Sequence, residues 1–523
     1  MRLKKWLGLV LSALLLFAAG CEAVQGVDLN SVLKQSQHVK AYEGSMVFEL
    51  DVKLSEDLLD EIAAEDEESA SFVPLLTHVK FELDEIKVKD PVNASMRGKL
   101  TLGDIGIGFG IRQAGTLMVM ELDGAAAPIV IDMAAMQEEF PGAVLTPEQQ
   151  LELQEMALKA ADSANGYLIG NMPNVSDISV ELNAPVKVGG EELKLTKIGV
   201  RFDGAELLEW LKSYLKALTE DKEGLRAFIG AIETYIRESA GLFGEFGPTD
   251  DEGQADFGLN EDEFVEMLQM ASLSLAYLET TEPELAREIF GENLTVSADL
   301  YVDGKLDIRR QDVEVNFRPD GKKLAELAEE ESLAGLEGIR IYYSQELWNI
   351  NGDVAIDATT VEGGVTVEEM EDWSTADTLR FFRGTGLYKL LANMGVGEQE
   401  LWLFPDIDER APIKSPDGQT LVPLRSVAEY FEAEVGWDHA TKTITVNDDA
   451  TGKQIVLQVG SSRAVVNGET EEWPYPVVLI DGVAYVPGDS LLATLGGTME
   501  WDIDGDDWEV LILSRDVAKL IRS

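Results

Sequence analysis

The chain's one cysteine, Cys21, and its three histidines, His38, His78 and His439, are the residues best suited to soft-ligand or imidazole chemistry, and they are scattered along 523 residues. Such spacing builds neither a disulfide within the chain nor a Cys/His cage for zinc or copper. Ser31-Val32-Leu33-Lys34 places a hydroxyl three residues before an amine, but no Ser-Asp-Asn or Lys-Thr-Gly box follows, so the segment is read as the start of a helix. There is no Gly-x-Ser-x-Gly elbow, no Gly-x-x-x-x-Gly-Lys phosphate loop and no His-Glu-x-x-His metal helix. The run Asp502 to Glu509 offers the oxygen ligands that calcium prefers, yet its glycine is misplaced for an EF-hand, and it reads as an acidic turn. Two carboxylates could serve a hydrolase, but among 97 acidic residues a pairing picked from sequence discriminates nothing. No catalytic residue, metal ligand or cofactor is therefore expected, and the chain is read as a non-enzyme.

The charge balance narrows the partners. Against 97 Asp and Glu stand 42 Lys and Arg, a formal charge of −55. Nucleic acid is excluded as a partner, because phosphate backbones are bound largely through clustered Lys and Arg. With 45% hydrophobic residues the chain can build real cores.

Arg2, Lys4 and Lys5 precede an apolar run from Trp6 to Ala19. This is too short to cross about 30 Å of hydrocarbon and has the form of a secretory signal. The run closes on Leu16-Phe17-Ala18-Ala19-Gly20-Cys21, which resembles the bacterial lipobox, with Ala18 where leucine is usual. The resemblance implies removal of residues 1–20, a diacylglyceryl thioether on Cys21 and anchoring on the outer face of the cell membrane. Residues 21–26 would form the lipidated tether.

From residue 27 to 397 an α+β body is expected. Met46, Phe48, Leu50, Val52 and Leu54 alternate with Glu49, Asp51 and Lys53, the pattern of an antiparallel sheet with one packed and one wet face. Similar strands are predicted at 79–88, 117–122, 178–188, 193–202, 296–302, 313–317 and 354–358. Between Gly103 and Ile111 one strand face carries only glycine, which favours close packing by a helix. Amphipathic helices are predicted at 147–165, 205–218, 225–239 and 261–278, the second striped by Leu207, Leu208, Leu211, Tyr214, Leu215 and Leu218. Residues 61–71 read as an exposed helix or loop, and 244–258 as a loop. The arrangement loosely resembles lipoproteins whose curved antiparallel sheet wraps helices around an apolar hollow, some of which carry acyl chains.

The carboxyl-terminal region repeats itself. A shift of 64 residues superposes 412–438 on 476–502 with eight identities, among them Val422/Val486, Pro423/Pro487, Trp437/Trp501 and Asp438/Asp502. Each copy reads as an Asp-Gly turn, a strand into Val-Pro, a helix whose first turn the proline starts, and a strand reaching Trp-Asp. These eight residues are taken as the structural core of the repeat, the tryptophans as anchors of strand to helix. The stretches Thr420 to Glu429, Val435 to Asp438, Val465 to Gly468 and Pro476 to Gly482 resemble the copper amine oxidase amino-terminal domain family, a stalk-like module of bacterial surface proteins. The resemblance covers about 400–515 and implies a small duplicated α+β domain. It does not imply amine oxidation, because the chain contains no Asn-Tyr and no histidine cluster.

The combined expectation is an α+β lipoprotein with a curved antiparallel sheet, amphipathic helices and a duplicated α+β domain at its carboxyl end. Its partners would be the membrane, through the lipid anchor, and a cell-wall polymer or surface protein. The first alternative is a carrier of an acyl chain or another hydrophobic ligand, and the second a carboxylate-dependent hydrolase.

Overall fold

The computed structural model describes residues 29–522 apart from 66, 140–144, 176, 244–260, 406 and 504–507. Cys21, the signal and the tether lie outside the described residues, as do the expected loop at 244–258 and most of the acidic turn after Asp502. The chain divides into one unit ending at Thr366 and a second made of Val367–Ser523 together with Asp123–Ala127.

The first unit is built on a curved sheet. Its strands are β1 (Tyr42–Leu54), β2 (His78–Asp90), β3 (Asn93–Leu102), β4 (Ile105–Ala114), β5 (Leu117–Leu122), β6 (Ile129–Asp132), β7 (Asp177–Val188), β8 (Glu191–Asp203), β9 (Leu294–Val302), β10 (Ile308–Phe317), β11 (Leu336–Trp348) and β12 (Val365–Thr366). The order is β12-β6-β5-β4-β3-β2-β1-β11-β10-β9-β8-β7, with every neighbouring pair antiparallel except β12 and β6. Hairpins join β2 through β6 in sequence, while β1 and β11 zip together across almost 300 residues of chain, Phe48 opposite Tyr343 and Leu50 opposite Ile341. The register carries the alternation of β1 across the sheet. Phe48 faces Phe81, which faces Leu100, which faces Ile107, so one face is apolar over many strands.

The helices are α1 (Leu29–Ser36), α2 (Glu56–Glu65), α3 (Glu67–Thr77), α4 (Met133–Glu139), α5 (Pro147–Leu168), α6 (Gly204–Glu220), α7 (Lys222–Phe243), α8 (Glu261–Thr281), α9 (Pro283–Ile289) and α10 (Gly321–Ala328). Ser31 and Lys34 lie within α1, and the acidic stretch at 61–71 falls on α2 and α3. Sequence fixes the start of α6 locally. The Asp203 carboxylate accepts from the Glu206 amide at 2.9 Å while the Glu206 carboxylate accepts from the Asp203 amide at 3.2 Å. Its stripe of Leu207, Leu208, Leu211, Tyr214 and Leu218 then shares a buried cluster with Ile198, Val200 and Phe202 of β8 and Val296, Ala298 and Leu300 of β9. Each buried leucine contributes about 1.5–3 kcal/mol. Tyr167 of α5 donates its hydroxyl to the Leu218 carbonyl at 2.7 Å, and burial with the nearby Asp221 charge pushes its phenol up to about 12.

Two expectations fail here. Residues 354–358 form no strand, although they alternate. Val354 is buried, and Asp357 is tied down instead by Lys87 at 2.7 Å and by the Ser95 hydroxyl, which accepts from its amide at 3.1 Å. The glycine face of β4 is not met by a helix at Gly106. A Cβ there would come within 2.6 Å of the Lys99 side chain, so the bare strip belongs to the charged face of the sheet.

A different glycine is the tight one. Gly98 of β3 sits opposite the bulge in β2 between Leu83 and Glu85, and a Cβ there would lie 2.1 Å from the Glu82 carbonyl oxygen. Gly98→Ala is expected to destabilise the first unit by about 1–3 kcal/mol, because backbone must move. Gly106→Ala should cost under about 0.5 kcal/mol, since the flexible Lys99 chain can swing away. Urea denaturation with amide exchange read on β2 and β3 compares them, and equal costs would refute the reading.

In the second unit, α11 (Val367–Glu371), α12 (Thr375–Phe382) and α13 (Gly386–Asn393) precede the repeated region. The unit thus takes in residues 367–397, which sequence groups with the body, and Tyr388 of α13 donates to the Ala518 carbonyl at 2.8 Å. Then follow β13 (Glu398–Leu403), β14 (Ile413–Lys414), β15 (Thr420–Pro423), α14 (Leu424–Tyr430), β16 (Glu434–Asp438), β17 (Thr443–Asp448), β18 (Lys453–Gln458), β19 (Arg463–Val466), β20 (Glu469–Glu472), β21 (Val478–Ile480), β22 (Val483–Pro487), α15 (Gly488–Leu495), β23 (Gly497–Ile503), β24 (Glu509–Asp516) and α16 (Val517–Arg522). The strands form three sheets, β14-β15-β22-β21, β16-β17-β18-β19-β20 and β13-β24-β23.

Candidate functional site

The apolar face of the first sheet is filled unevenly. Over β8 to β10 it is closed by the helices of the main cluster. Over β1 to β6 it presents Met46, Phe48, Phe81, Met96, Phe109, Ile111, Met118 and Met120, all of them only partly buried. The rings of Phe81 and Phe109 stack with centroids 5.8 Å apart and planes 15° apart, and the strand between them carries Gly98 opposite Phe109. Flexible thioethers beside stacked rings form an adaptable apolar wall. Sequence showed the alternation but not which strands the main helical cluster would cover.

The other face is ionic. Arg340 of β11 reaches Glu314 at 2.8 Å, Glu49 at 3.2 Å and Asp51 at 3.3 Å, and Arg310 reaches Asp312 at 2.9 Å and Glu346 at 3.1 Å. The Arg340 guanidinium holds the Glu314 carboxyl below its usual range, and Glu314 in turn raises Arg340. These rows satisfy charge across strands and leave the apolar face as the one suited to a ligand.

In the second unit the repeat residues fall into two roles. Val422 and Val486 are fully buried and stand directly opposite one another, since β15 pairs antiparallel with β22. Equivalent residues meeting across an antiparallel pair place a local two-fold relation between the copies. Pro423 and Pro487 are buried at the ends of these strands and occupy the cap position, with extended ψ of 104° and 117°, so the first-turn placement expected from sequence is one residue too far in. Trp437 and Trp501 pack against the buried cluster, and Trp501 donates to the Thr420 hydroxyl at 3.2 Å. Asp438 and Asp502 are exposed. The Asp438 carboxylate accepts from the Thr441 hydroxyl and the Ala440 amide, both at 2.8 Å, which holds it below the ordinary range.

Sequence missed the polar centre of this unit. Trp437 pairs with Ile444 and Trp501 with Leu511, so beyond the tryptophans the copies correspond with an offset of 67, which makes Asp448 and Arg515 equivalent positions. These two bind each other at 2.8 Å with side chains 0% and 1% exposed. Arg515 also donates to Gln399 at 2.7 Å and to the carbonyls of Phe431 and Leu495, which stand at the ends of α14 and α15. A guanidinium is thus placed at the negative ends of two equivalent helices.

Among the described residues no group of three or more His, Cys, Asp or Glu is placed to hold a metal ion, and no helix is long and apolar enough to cross a membrane. The family described as copper amine oxidase N-terminal domain matches residues 405–510. A primary amine oxidase of Klebsiella aerogenes is 35% identical over 66 residues, 13% of this chain. The chain spans 8% of that relative's length.

Proposed function

We propose that the protein is a non-catalytic, lipid-anchored cell-surface protein whose second unit is a stalk-type module that contacts cell-wall polymer or another surface protein. The carrying observation is the amine oxidase amino-terminal match at 405–510, falling on a unit whose internally repeated Val422, Val486, Trp437 and Trp501 all serve one core. The basic, apolar and small-residue run that ends at Cys21 supports the anchor. Fractionation of cells producing the full chain, Cys21→Ser and a chain ending at Thr366 tests both halves. The full chain should sediment with membranes and be retained by purified wall fragments. Cys21→Ser should appear in the medium, and the shortened chain should lose wall retention while staying membrane-bound. Unchanged retention of the shortened chain would end the module's assigned role, and unchanged membrane binding of Cys21→Ser would end the anchor's.

A second reading, that the first unit carries an apolar ligand such as an acyl chain, is favoured by the partly buried Phe and Met residues on the inner face of β1 to β6.

A further inference from the structure

Away from that sheet face, the first unit carries a groove of about 690 Å³ between α8, α9 and the end of α10. Met270, Leu273, Tyr277, Leu285 and Leu327 supply its apolar lining, and Glu282 and Glu329 line it as well. The apolar residues on α8 are not tucked in. Met267, Met270, Leu273 and Tyr277 are 54%, 61%, 69% and 52% exposed, while Leu268, Leu275 and Leu278 on the same helix are buried against the core. The helix therefore has two apolar faces, and the outer one follows the three- and four-residue spacing of a docking stripe. From residue 267 to 277 that stripe runs about 15 Å, the length of about two to three helical turns. Two methionines on it give a surface that can repack around different apolar side chains.

Charge selects what would lie there. α8 contains Glu261, Asp262, Glu263, Glu266 and Glu279 and no lysine or arginine, and the charged side chains lining the groove, Glu282 and Glu329, are both carboxylates beside the neutral hydroxyl of Ser274. A second copy of this chain would bring another acidic stripe and a charge of −55, so self-association is disfavoured. An anionic bilayer is repelled in the same way, and a neutral one gains nothing from Glu282 and Glu329. We propose that this groove docks an amphipathic helical segment of a partner protein, with apolar residues at helical spacing seated on Met267 to Tyr277 and flanking Lys or Arg facing Glu282 and Glu329.

The test is fluorescence-anisotropy titration of the full chain with a labelled Leu/Lys amphipathic peptide about five turns long, at physiological salt. The peptide should bind saturably. Met270→Asn with Leu273→Asn, two exposed positions that leave net charge untouched, should weaken binding at least about tenfold. Glu282→Gln with Glu329→Gln should weaken it about threefold and flatten its salt dependence. Leu182→Asn, at an exposed position of β7, is the control and should leave binding unchanged. Absence of binding, equal affinity of the wild type and the Met270/Leu273 variant, or equal affinity for a scrambled peptide of the same composition would overturn the proposal. So would stripe-dependent adhesion to zwitterionic vesicles in place of peptide binding.

Discussion

Arg515→Met is expected to destabilise the second unit by about 3–5 kcal/mol, the cost of leaving one member of a buried ion pair without its partner. The carboxylate left behind, Asp448, is fully buried and would retain the Thr451 amide and hydroxyl as donors to its other oxygen. The carbonyls of Phe431 and Leu495 would lose a donor in the same step. Replacing both partners, as in Arg515→Met with Asp448→Leu, should recover part of the loss, because removing a whole buried pair costs far less than halving it. Urea denaturation of the full chain, with amide exchange read on β17 and β24, measures this. A single-variant cost under about 1 kcal/mol would show that water or relaxation satisfies Asp448, and the pair would no longer be the centre of the unit.

The second large effect concerns the sheet face. If an acyl chain lies over β1 to β6, burying about ten methylenes at about 0.8 kcal/mol each gives about 8 kcal/mol before ordering costs, which sets a dissociation constant no tighter than about 1 μM. A fluorescent long-chain fatty acid should therefore bind in the micromolar range or somewhat weaker. Phe81→Asn with Phe109→Asn should reduce that affinity at least about tenfold, by removing the stacked rings and introducing amides that apolar contact leaves unpaired. Circular dichroism should show the sheet intact. Native mass spectrometry finding the purified chain ligand-free, together with no binding of the probe, would remove the carrier reading and leave the wall-contact reading untouched.

Much of the scaffold was legible from local pattern. β1, β5, β7, β8 and β9 follow from alternation, and α5 to α8 from helical spacing, because each must hide one side. What pattern cannot supply is the partner. Residues 354–358 alternate as well as β10 does, but β2 and β3 are already paired on both edges, so no strand position is left beside them. β11 was missed for the converse reason. Its outer residues Arg340, Tyr342 and Ser344 and its inner Tyr343 and Gln345 blur the alternation, and its pairing with β1 on one edge and β10 on the other reveals it. The repeat was readable to Asp438 and Asp502, and the change of offset beyond them hid the equivalence of Asp448 with Arg515. The outer stripe of α8 left no separate signal, since Met and Leu read as core until the opposite side of the helix is seen to be buried already.

β13 precedes the first copy in sequence, yet it is the strand hydrogen-bonded along β24 of the second, with Leu401 opposite Leu513 and Leu403 opposite Leu511. The strand before the first copy thus completes the sheet of the second, and a fragment begun at residue 405, where the family match begins, would strip β24 of a neighbour it cannot regrow. With β13 gone from every copy, that raw margin could only meet the bare edge of another molecule, so an excised piece should clump while one begun at residue 367 keeps its closure.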